Sequence, residues 1–80
     1  MGEREHGREP EWRPVASSNL EAVRWGRDEE GPWLDVRFLS GRTARYSGVP
    51  EAVSKALLAA ESKGKFHARE IKHRYPFRYV

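Results

Sequence analysis

Apolar side chains recur at every second position in the first half of this chain and at every third or fourth position in the second half. Val23 and Trp25 lie two apart in "VASSNLEAVRWGR", and Leu34, Val36 and Phe38 alternate with Asp35 and Arg37 in "WLDVRFL". A period of two is that of a strand with one face buried. Asp35 and Arg37 are then expected on the solvent side. "DEEGP" at 28–32 and "SG" at 40–41 are turn signals, and "RTARY" reads as a further strand. Connections this short require antiparallel neighbours, so the pattern predicts a three-stranded meander.

The period changes after Pro50, a residue suited to the first turn of a helix because it has no N–H to leave unpaired. Val53, Leu57 and Ala60 fall on one helical face with Leu58 beside them, and Gly64 is placed as the stop. A second helix is expected over 67–74, with Ala68, Ile71 and Tyr75 on its apolar side and Pro76 ending it. The closing "FRYV" alternates again and suits a short strand or an extended tail. The predicted fold class is α+β: a three-stranded antiparallel β-meander followed by two C-terminal α-helices packed on one face.

Composition narrows the reading. Residues 1–13 hold Glu, Arg, Gly and Pro with Trp12 as their only large apolar side chain, and are expected to form a disordered charged tail. Trp12 is a candidate for docking on the domain edge. Residues 14–80 are then one small domain. The 80 residues contain no cysteine, which excludes disulfides and thiolate metal sites. No apolar run reaches membrane-spanning length, and the charged N-terminus does not read as a secretory signal. The expectation is a cytoplasmic protein, monomeric by default.

Catalytic and metal chemistry find no motif. His67 and His73 are six apart and do not share a helical face, and the two aspartates, Asp28 and Asp35, have no local partner pattern. Three histidines without cysteine do not supply a zinc site, and "SGRTARYSG" lacks the Gly-Lys-Ser/Thr of a phosphate loop. A non-enzymatic protein with no metal and no cofactor is expected.

Charge gives the functional lead. The chain carries a formal +3, but residues 61–80 hold six basic side chains against two acidic ones. Lys65, Arg69 and Lys72 recur at i, i+4 and i+7 of the expected second helix, away from its apolar side. A basic stripe of this kind can follow a phosphate backbone while the opposite stripe anchors the helix. The candidate nucleic-acid contacts are Lys63, Lys65, Arg69, Lys72, His73 and Arg74. Tyr46, Tyr75, Phe77 and Tyr79 are candidate base stackers, with Tyr46 chosen among them. The alternative is a protein-interaction module that uses an exposed sheet edge, Trp33 or the C-terminal tail.

The order of several pieces resembles the KTSC domain, named for its occurrence at the C-terminus of some lysyl-tRNA synthetases and present also as a stand-alone bacterial protein. The matching positions are Val15, Ser17 and Ser18, then Tyr46, Val49 and Pro50, then Ala60, Ser62, Gly64, Phe66, Ile71 and Tyr75. Two positions depart from the family pattern. Ala44 stands where the family has the first tyrosine of Tyr-x-Tyr, and Ala68 stands where it tends to have Asn. Alanine is a poor helix cap, so the second helix is expected to start elsewhere or to fray. The resemblance implies the α+β fold, and an RNA-related role through association with the synthetases.

Overall fold

The computed structural model describes residues 9–80; most of the expected disordered tail, residues 1–8, lies outside the described residues. The fold is α+β, with an antiparallel sheet of five strands in sequence order and a helical layer on one face. The strands are β1 (Arg13–Pro14), β2 (Leu20–Asp28), β3 (Gly31–Phe38), β4 (Thr43–Ser47) and β5 (Phe77–Tyr79). The expected meander is its centre, β2 to β4. The two additional strands are short and border the sheet, and neither carries the long alternating run that marks a strand in sequence. Arg13 pairs with Val23 at one border, and Phe77 pairs with Tyr46 at the other.

Helix α1 spans Glu51–Ala59. It ends before the expected stop, because Ala60 already turns to extended backbone. Helix α2, Lys63–Phe66, begins four residues earlier than the sequence suggested and contains Gly64. Its cap is Ser62, whose hydroxyl accepts from the Lys65 N–H at 3.3 Å, so no cap at Ala68 is needed. Gly64 faces the "VASSN" turn: a Cβ there would sit 3.5 Å from Ser17 Oγ. Ser17 organises that turn by accepting from the Asn19 and Leu20 N–H groups. The family-matching Ser17, Ser62 and Gly64 therefore meet in one place. From His67 to Ile71 the helix widens into a π-turn, closed by the Lys72 N–H on the His67 carbonyl at 2.8 Å.

The core lies between the sheet and these helices. Leu20, Val23, Leu34, Val36, Ala44 and Tyr46 project from the strands, and Val49, Leu57 and Ile71 meet them from the helical side. The period-two reading of β3 holds for Leu34 and Val36. Trp25, at the edge of this core, donates its indole N–H to the Val49 carbonyl at 2.7 Å, tying β2 to the entry of α1.

The opposite sheet face differs from expectation. Asp35 points away from the core, as alternation requires, yet it is 0% exposed. Its register neighbours explain this: Arg24 and Arg45 stand directly beside it on β2 and β4. Arg45 bonds both carboxylate oxygens, at 2.7 and 2.9 Å, and Arg24 adds a bond at 3.0 Å. Rings close over the charges. Arg45 lies 3.9 Å from the Trp33 ring centroid, while Arg24 and Arg37 lie 4.3 and 4.2 Å from that of Trp12. Glu9 reaches Arg24 and Arg45 at 3.4 and 3.5 Å. Trp33 is thus buried within the outer layer and is not the partly exposed contact considered from sequence. Gly26 gives it room, since a Cβ there would come within 2.4 Å of the ring.

Removing Asp35 leaves two arginines packed together with only the half-exposed Glu9 as an anion. Asp35→Ala should lower unfolding free energy by roughly 3–5 kcal/mol, a large share of what a small domain has. Gly26→Ala should also destabilise by displacing Trp33. Urea denaturation reads both; a change below about 1 kcal/mol for Asp35→Ala would show that the triad contributes little.

Candidate nucleic-acid interface

The last helical turns and β5 line a common cleft, and the sequence-predicted site residues on and around them have unequal roles. Lys65, Lys72 and His73 are exposed, and among the described residues none has a carboxylate within ion-pair distance. Arg69 is exposed and only grazes Glu70, at 4.0 Å. Arg74 pairs with Glu70 at 3.6 Å, one helical turn away. Lys63 turns inward, its ammonium donating to the Ala60 carbonyl at 2.8 Å, so it closes the end of α1. The basic surface is therefore carried by Lys65, Arg69, Lys72 and His73.

Tyr46 is corrected. It is 2% exposed and sits in the core, so its ring is closed to a base. Register decides this: Tyr46 is opposite Leu34 on β3 and shares the inward face. Its hydroxyl shares a 2.8 Å hydrogen bond with His67 Nε2. His67 is itself 3% exposed, its ring set edge-on to both Tyr46 and Phe38 at centroid distances of 5.5 Å. Burial, and to a smaller extent the Lys72 charge, push the His67 pKa down to about 4. Burial pushes the Tyr46 phenol up to about 12. Both partners are neutral at pH 7. This is a neutral hydrogen bond joining β4 to the π-turn, which suits a structural link.

The exposed aromatics are Phe77 and Tyr79. They are 47% and 55% exposed and lie two apart on β5, on one side of the strand. Phe77 leans on Tyr46 at 5.4 Å between centroids, and the Arg42 guanidinium lies 4.4 Å from the Tyr79 centroid. Between them and the π-turn opens a cleft of about 310 Å³, with Ala44, Tyr46 and His67 in its lining and Arg42 and Lys72 among its polar groups. Among the described residues no carboxylate lines it. The alternation of "FRYV" was the signal for Phe77 and Tyr79, once that segment is read as a strand. Arg42 carries no such signal, being one of several arginines next to turns. A larger groove of about 790 Å³ lies between the N-terminal segment and α1, but Glu11 and Glu51 balance Arg13 and Lys55 there. It has no bias toward an anion.

In comparisons with known proteins, residues 16–75 match the KTSC domain. A protein from Tsukamurella paurometabola is 44% identical over 62 residues, covering 78% of this chain and 90% of that protein. An uncharacterised protein from Stutzerimonas stutzeri is 40% identical over 65 residues, covering 81% and 87%. The crystal structure of a KTSC domain protein from Yersinia pestis superposes with a TM-score of 0.75 at 32% identity, over 88% of this chain and 96% of that one.

The buried histidine gives a signed pH prediction. The unfolded chain binds a proton on His67 near pH 6.5, whereas the fold resists it down to about 4. Stability should therefore fall as pH drops from about 6.5 to about 4, with no contribution from this group above that window. The expected loss is about 3 kcal/mol. Denaturation midpoints of the wild type and of His67→Phe across this window check it. The variant should start less stable and show a flatter acid limb; parallel limbs would contradict the assignment.

Proposed function

The chain belongs to the KTSC domain family, and from that premise we propose that it is a small non-enzymatic module that binds single-stranded RNA through its basic C-terminal helical segment. The observation that supports this reading is that Lys65, Arg69, Lys72 and His73 are all exposed on one helical segment, and that Lys72 lines a cleft with Arg42 and with no carboxylate among the described residues. Glu70, the one acid among them, is engaged by Arg74. Phosphate contacts of this kind give binding that is sequence-tolerant and salt-sensitive. The second reading, a protein-interaction module, is favoured by one feature. β5 is a border strand with Phe77, Tyr79 and Val80 exposed, which suits addition of a partner strand.

Fluorescence anisotropy with a labelled single-stranded oligoribonucleotide tests the first reading. Three phosphate contacts should cost roughly twentyfold in affinity between about 50 and 200 mM salt. The combined Lys65→Glu, Arg69→Glu and Lys72→Glu variant should lose binding while keeping the wild-type circular dichroism spectrum. Absence of binding at the lower salt, or binding untouched by the triple change, rules the reading out.

A further inference from the structure

We propose that the cleft between β5 and the π-turn is a receptor for one unstacked nucleobase, with its flanking phosphates held by Arg42 and Lys72. The inference rests on the RNA-binding reading above and assigns it a subsite outside the helix. Its walls are the argument. Phe77 and Tyr79 are among the few large apolar side chains left exposed, and they are adjacent, 5.5 Å between centroids, at the mouth of the cleft. Solvent-facing rings beside one another are stacking platforms, since every base has a π-face. Arg42 already lies over Tyr79, and a guanidinium plane stacks on bases as well as on tyrosine.

The floor favours a flat guest. Ala44 pairs with Tyr79 across β4 and β5 and lies in the lining with a side chain of one methyl group. Beyond it lie Tyr46 and His67, which satisfy each other and present no charge. The polar groups that remain in the lining include Asn19, Ser40, Arg42 and Lys72, placed around an apolar floor. A few polar groups around a largely apolar cavity is the usual composition of a small-ligand site, and about 310 Å³ is at the small end of such sites. The cations suit phosphate, and the absence of any carboxylate among the described lining residues argues against a cationic guest. Bases inside a duplex are stacked and paired, so a cleft for one free base selects single strands.

The test compares two oligomers of equal length and charge, one a single-stranded oligouridylate and one its abasic counterpart. The wild-type protein should bind the base-bearing oligomer about tenfold more tightly. Tyr79→Ala and Phe77→Ala are substitutions of exposed side chains. They should remove the tenfold difference, weakening the base-bearing oligomer more than the abasic one. The Lys65→Glu, Arg69→Glu and Lys72→Glu combination should weaken both oligomers together. Equal binding of the two oligomers by the wild-type protein overturns the base receptor and leaves the phosphate-binding reading standing. A base preference that persists in both aromatic variants also overturns the receptor. Binding of neither oligomer overturns both, and directs attention to a protein partner at the β5 edge.

Discussion

One neutral hydrogen bond, between the Tyr46 hydroxyl and His67 Nε2, joins the sheet to the helical segment that carries Lys65, Arg69 and Lys72. Its 2.8 Å geometry lies inside the core, where an unpaired polar group costs far more than the bond itself contributes. Neither partner can leave without stranding the other. Their pairing fixes the rotation of the π-turn. With His67 and Ile71 turned inward, Arg69, Lys72 and His73 are left on the outside. It also fixes the back wall of the cleft. The basic surface, the cleft and the core contact thus have a common hinge in two side chains. The widened turn at His67–Ile71 accommodates a large ring at this point of the helix.

The other face of the sheet is held differently. There Asp35 is enclosed by Arg24 and Arg45, with Trp33 and Trp12 laid over the guanidinium groups. Because the Asp35 hydrogen bonds stabilise its charge, Arg45 is held even more firmly protonated than an ordinary arginine. Charges taken out of water this far need near-complete hydrogen bonding, and the bidentate geometry supplies it. The consequence for function is that these arginines are committed. Although the face is rich in arginine, Arg24 and Arg45 already share an anion. Lys65 and Lys72 on the helical segment have no such partner among the described residues.

Much of this fold was legible in sequence because three of its strands and its first helix have clean periods. Leu34 and Val36 declared the inner face of β3, and Leu57 declared that of α1. The second helix was misplaced because Gly64 looked like a stop, whereas it lies inside a helix capped by Ser62. β1 and β5 are too short for periodicity to show. Asp35 was taken for a solvated residue because alternation gives the direction of a side chain and not what lies over it. That cover comes from neighbouring strands and from Trp12, far away in sequence. Tyr46 was misread for the same reason. Nothing in "ARY" reveals which tyrosine meets a histidine twenty-one residues later. The basic stripe was legible as composition, but only the structure separates Lys63, which closes α1, from Lys65 and Lys72, which are open to solvent.

The central claim is that RNA contacts the π-turn end of the molecule and not the arginine-rich sheet face. Amide chemical-shift mapping of the isotope-labelled protein against a single-stranded oligoribonucleotide tests it most directly. The predicted result is a contiguous set of shifts over Lys65–Arg74, Arg42 and Phe77–Tyr79, with Arg24, Trp33 and Arg45 unmoved. Shifts centred on Arg24, Trp33 and Arg45, or no shifts at all, would contradict it.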